Sequence, residues 1–176
     1  MDDLRYPIGK FAVDPAPTDE KRRAWIRQIG ETPAALRAAV AGLTDRQIET
    51  PYRPGGWTVR QVLHHVPDSH LNAYCRFKFA LTEDNPTIKA YDEAAWANIA
   101  DTARTPPETS LALLDALHRR WVILLESMEA RDFERPLRHP EVGAITLGWM
   151  LQLYAWHGRH HAAHITELRK REGWQA

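Results

Sequence analysis

Four segments of this chain place apolar side chains three and four residues apart over lengths that only helices fill. They run through Trp25, Ile26, Ile29, Leu36, Val40 and Leu43; Val59, Val62, Leu63, Val66, Ala73, Phe77 and Ala80; Leu111, Leu114, His118, Trp121, Leu125 and Met128; and Leu147, Leu151, Tyr154, His161, Ile165 and Leu168. A helix with one apolar stripe must bury it against another element, and almost no segment alternates as a half-buried strand would. The pattern therefore predicts an all-α four-helix bundle. At 176 residues the chain makes one domain, residues 1–176, with neither an internal repeat nor a low-complexity tract.

Local signals set the boundaries. Residues 1 to 17 hold Pro7, Pro15 and Pro17 and read as an extended lead-in packed over the body, after which Thr18 caps the first stripe. Thr32-Pro33 interrupts that stripe, because proline starts a helix more readily than it continues one, so two helical segments are expected there. Thr58 with Gln61 forms a capping box for a helix reaching about Leu81. Pro67, inside that helix, removes a hydrogen bond at a cost of about 3 kcal/mol and predicts a kink just beyond His65. Asp92 caps a short helix with Trp96 and Ile99, and Thr105-Pro106-Pro107 opens the third long helix. Residues 135 to 145 suit a small hairpin, and Thr146 caps a final helix to about Arg171.

Charge narrows the partners. The 23 basic and 23 acidic side chains cancel, so no global field draws the chain to nucleic acid or to a membrane surface. No stretch approaches the roughly 20 apolar residues of a membrane span, and Met1-Asp2-Asp3-Leu4-Arg5 lacks the form of a secretory signal, which predicts a cytoplasmic protein. Small molecules or a second copy remain as partners. Cys75 is the single cysteine, so any metal must rest on histidine or carboxylate. Its helical angle makes it a small core residue rather than a ligand.

Seven of the nine histidines fall in two windows: 64, 65 and 70, and 157, 160, 161 and 164. At about 100° per residue, His161 and His164 lie roughly 40° and 20° either side of His157, so one face carries all three. His157 and His161 share the inward stripe and, four residues apart, can converge on one ion. His160 and His164 form a second pair of the same spacing and stay as the alternative register. On the earlier helix Gln61, His65, Ser69, Asn72 and Arg76 make a polar ridge with Asp68 at its edge, where His65 points inward and His64 is turned about 100° away. The bland reading is a solvated ridge with each histidine hydrogen-bonded structurally. His118 reads as a buried structural residue, and the seven tryptophans chiefly as core.

Other metal motifs are absent. His157-Gly158-Arg159-His160-His161 lacks the glutamate of a His-Glu-x-x-His protease, and no Glu-x-x-His of a di-iron bundle occurs.

Gly55-Gly56-Trp57-Thr58-Val59-Arg60-Gln61, then His64-His65-Val66-Pro67-Asp68-Ser69-His70 and Arg76-Phe77-Lys78, resembles the YfiT-type branch of the DinB-like superfamily. Tyr154-Ala155-Trp156-His157-Gly158-Arg159-His160-His161-Ala162-Ala163-His164 is similar to the same branch, and the resemblance spans nearly the whole chain. It implies a homodimeric four-helix bundle with one divalent ion per subunit, zinc or sometimes nickel, on His65, His157 and His161. It also implies a metal-dependent hydrolase, with relatives that transfer thiols such as bacillithiol onto electrophiles. Three neutral imidazoles leave a bound ion its full charge and an open position, able to acidify water or a thiol near neutral pH. Asp68 and His164, each one turn from a ligand, are the expected supporting groups. A non-catalytic metal-binding or stress-related protein, with a closed coordination shell, is the rival expectation.

Overall fold

The computed structural model describes residues 2–174. Four long helices dominate it: α2 (Asp19–Val40), α4 (Val59–Thr82), α7 (Pro107–Glu126) and α8 (Leu147–Glu172). Single turns α1 (Asp2–Arg5), α3 (Asp45–Ile48), α5 (Glu93–Trp96) and α6 (Ala100–Arg104) lie between or before them. A 3-10 turn, Ala130–Glu134, leads into an antiparallel hairpin of β1 (Pro136–His139) and β2 (Gly143–Thr146), with Leu137 opposite Ile145. The expected hairpin and the caps at Thr18, Thr58, Asp92 and Thr146 are all present. Ile99 does not extend the Asp92 helix but precedes α6 as its cap.

The expected break at Pro33 is absent: α2 runs unbroken through it. Proline lacks the N–H that would bond the carbonyl four residues back, here that of Ile29. His118 of α7 takes that carbonyl instead, its Nδ1 lying 2.6 Å from the Ile29 oxygen, so the orphaned acceptor is satisfied and the helix continues. Pro67 likewise lies inside α4 without ending it.

The helices close into a ring in which α2 packs on α8 and α7, and α4 on α7 and α8. Two apolar clusters fill its ends. One gathers Ile29, Phe77, Trp121, Leu125, Met150 and Leu151; the other Leu36, Val62, Leu63, Leu114, Ile165 and Leu168. Between them every long helix contributes polar groups at one level: Thr32 from α2, His65 and His70 from α4, His118 from α7, and His161 with the partly exposed His157 from α8. The bundle is thus two apolar halves separated by a histidine layer.

The lead-in lies along α8 on a row of residues four apart. Gln152 exchanges two hydrogen bonds with the backbone of Asp14, at 2.7 and 3.2 Å. The indole N–H of Trp156 donates to the Gly9 carbonyl, the ring of His160 sits 6.1 Å from that of Tyr6, and His164 Nε2 meets the Arg5 carbonyl at 3.1 Å. This strap covers one side of the histidine layer. Cys75, expected in the core, is exposed on α4. Of the tryptophans, Trp121 is fully buried, Trp25 and Trp149 pack partly buried against its cluster, and Trp96 is exposed.

Candidate metal centre

His65 comes from the second turn of α4, in register because the Thr58–Gln61 capping box fixes where the helix starts. His157 and His161 come from consecutive turns of α8. The three bring potential ligand nitrogens within 4.8 Å of one another, the one such group among the described residues. Nε2 of His65 and Nε2 of His157 stand 3.3 Å apart. Two nitrogens bound to one tetrahedral zinc at about 2.0–2.1 Å would be separated by about 3.3–3.4 Å, so this edge fits such an ion.

Burial also holds these rings in the neutral form that ligation requires. It pushes the pKa of His65 down to about 4 and those of His157 and His161 well below the usual imidazole value, the neighbouring histidines adding to the effect. Donor chemistry agrees: three imidazoles, no thiolate and no carboxylate.

The group faces a cavity of about 440 Å³ between α8, the lead-in and the loop before α4. Trp57 forms one wall, its ring 4.6 Å from that of His65, and Trp156 another, stacked at 4.2 Å on His160. Arg5 and Arg53 stand at the lining, and Glu93 is its one carboxylate. Hollows of about 520 and 700 Å³ elsewhere, along α2 and α7, hold no ligand cluster among the described residues.

The remaining expected residues divide. His164 lies beside the group: its Nδ1 is 3.4 Å from Nδ1 of His161 while its Nε2 meets the Arg5 carbonyl. Asp68 is half-buried, and burial with the nearby Asp101 raises its carboxyl to about 6, but no contact joins that carboxylate to a histidine of the group among the described residues. His64 turns away as expected, its Nδ1 2.7 Å from the Ser110 hydroxyl. His160 packs between Trp156 and His164 rather than joining His65.

Sequence reasoning passed over His70. Fully buried, it joins Nδ1 to His118 Nε2 at 2.8 Å and Nε2 to His157 Nδ1 at 3.0 Å. It also passed over Trp57 and Glu93 as site residues. The Gly-Gly-Trp turn directly before a capping box was the available signal for the first; nothing local marks the second.

The sequence pattern of the DinB superfamily matches residues 28–165. The chain belongs to the DinB superfamily. A Bacillus cereus (strain B4264) protein named "Putative metal-dependent hydrolase" is 55% identical over 174 residues, covering 99% of this chain and 100% of that one. A Bacillus thuringiensis subsp. konkukian protein of the same designation is 54% identical over the same shares. The solved structure of YfiT from Bacillus subtilis, described as "a probable metal-dependent hydrolase with an unusual four-helix bundle topology", superposes with a TM-score of 0.95 at 49% identity, over 98% of this chain and 99% of that one. No helix among the described residues is long and apolar enough to cross a membrane.

Proposed function

We propose that this DinB-superfamily protein is a metal-dependent hydrolase in which His65, His157 and His161 hold one divalent ion. The observation that carries the reading is the group of three neutral imidazoles, two of them at a tetrahedral edge of 3.3 Å, facing a cavity rather than solvent or core. Zinc suits a donor set of imidazoles without thiolate or carboxylate, and nickel is the second choice. When bound, the ion supplies Lewis acidity that makes water a nucleophile near neutral pH.

The protein's own groups do the rest. His164, anchored on the Arg5 carbonyl, orients His161. The Trp57 indole packs on His65 and keeps bulk water from that side. Glu93, whose carboxyl burial raises above its ordinary value, is the carboxylate on the cavity wall that would take a proton from the attacking water. Arg5 and Arg53 favour a substrate with an anionic oxygen. The protein proposed here is cytoplasmic and, as the resemblance implies, a homodimer.

The test is activity of zinc- and nickel-loaded protein on ester, amide and phosphoester panels beside thiol and electrophile pairs. Turnover of a hydrolysable substrate that His65→Ala abolishes supports the reading. Thiol transfer without hydrolysis would replace it with the transferase alternative, and tight metal binding without either activity would favour a binding protein.

A further inference from the structure

The histidine layer contains a chain of contacts that ends on a backbone carbonyl. Ile29 O, freed because residue 33 is proline, lies 2.6 Å from His118 Nδ1; His118 Nε2 lies 2.8 Å from His70 Nδ1; His70 Nε2 lies 3.0 Å from His157 Nδ1. A carbonyl oxygen can only accept, so His118 must carry its proton on Nδ1. With one ring proton each, the direction then propagates. His118 Nε2 is an acceptor, His70 donates from Nδ1, His70 Nε2 is in turn an acceptor, and His157 donates from Nδ1. The Nε2 of His157, 3.3 Å from Nε2 of His65, is left as a bare lone pair.

We infer that the Ile29 carbonyl, His118 and His70 form an orienting chain that locks His157 in the tautomer presenting Nε2 to the metal position. The inference rests on the proposed metal site for its purpose, but the tautomers themselves are a property of the metal-free protein. His70 and His118 are positioning residues: neither belongs to the group of three, and His118 reaches it only through His70. Pro33 belongs to the device, since a residue with an N–H at 33 would compete with His118 for the Ile29 carbonyl. A buried proline and two buried histidines on three different helices thereby serve one nitrogen of a fourth.

Packing alone makes the opposite prediction for one pair of variants. A glutamine at 118 can donate its amide N–H to Ile29 O while its amide oxygen accepts from His70; leucine fills the space but can do neither. The experiment is nitrogen-15 NMR of the histidine rings in metal-free wild type, followed by zinc and cobalt titration of wild type, His118→Gln and His118→Leu, with thermal melts to show that each is folded. Expected are protons on Nδ1 of His118, His70 and His157, and zinc affinity reduced about 10- to 100-fold in His118→Leu, with most of the loss recovered in His118→Gln. Leucine binding as tightly as glutamine, or a proton on Nε2 of His157 in wild type, would overturn the inference. Wild type with the three expected tautomers but no affinity for zinc or cobalt would support the orienting chain and refute the metal reading instead.

Discussion

Gly158, between two histidines of the group on α8, gives a perturbation whose sign separates close packing from helix propensity. A Cβ there would fall 2.3 Å from Oγ1, 2.6 Å from Cγ2 and 3.0 Å from Cβ of Thr32 on α2. Turning the threonine side chain cannot relieve all three, because the Cβ contact is fixed by the two backbones. The helices must therefore part or bend. Forcing a methyl into a packed interior costs about 1–3 kcal/mol, and contacts this short belong at the upper end. Alanine repays about 1 kcal/mol through its better helix propensity, leaving a net loss of about 2 kcal/mol. For a protein of this size each kcal/mol moves Tm by about 2–4 °C, so Gly158→Ala should melt about 4–8 °C lower, read by circular dichroism. Gly30→Ala is the control: its Cβ meets only a methyl of Val122, at 3.3 Å, and it should melt within a few degrees of wild type. Thr32→Ala combined with Gly158→Ala removes the two shortest contacts and should recover most of the loss. Any rise in Tm on Gly158→Ala alone would show that α2 and α8 do not approach as closely as described.

Further predictions concern the site and its pH dependence. His65→Ala, His157→Ala and His161→Ala should each lose most bound zinc on elemental analysis of the purified protein, while His64→Ala should retain it. His164→Ala should keep the fold yet weaken zinc affinity about 10- to 100-fold, whereas Asp68→Asn, lacking contact with the group, should bind zinc as wild type does. Glu93→Gln should bind zinc normally and lose turnover by about 10²-fold or more, in the range of a removed general base; unchanged turnover would take Glu93 out of the mechanism. In the metal-free protein His65 and His118 are pushed down to about 4 from 6.5, so between those values the unfolded chain binds more protons than the folded one. Stability should therefore be lost as pH falls from about 6.5 to about 4, by of the order of 3 kcal/mol for each such ring, and Tm should be flat above pH 7.

What the sequence disclosed was whatever repeats along one helix. The stripes located the four long helices, and the arithmetic of His157 and His161 put two side chains on one face that the structure brings to His65. What it concealed lies across helices. His70 is five residues from His65, about 140° round α4, and looks turned away unless α4 has two buried faces; in a closed ring it does, one against α7 and one against α8. Pro33 looked like a break because its remedy, His118, is 89 residues from the carbonyl it satisfies. Asp68 shows the converse: it is one turn from His65 along α4, yet among the described residues no contact joins its carboxylate to the group. The turn α3 went unread: Thr44 and Gln47 make a capping box, but four residues carry no stripe to draw attention to it.

The strap along α8 bears on how the protein is made. The Arg5 carbonyl that holds His164 is separated from it by 159 residues, and His65 from His157 by 92. At about 5–20 residues per second, a ribosome that has just placed His65 needs roughly 5–18 s more before His157 exists. During that interval a nascent chain offers one isolated imidazole of the three, so the proposed site would reach full strength only after α8 has been synthesised and the lead-in has folded back along it. On the proposed metal reading, loading would follow completion of the chain, and a fusion partner joined directly ahead of Arg5 should delay it more than one joined after α8.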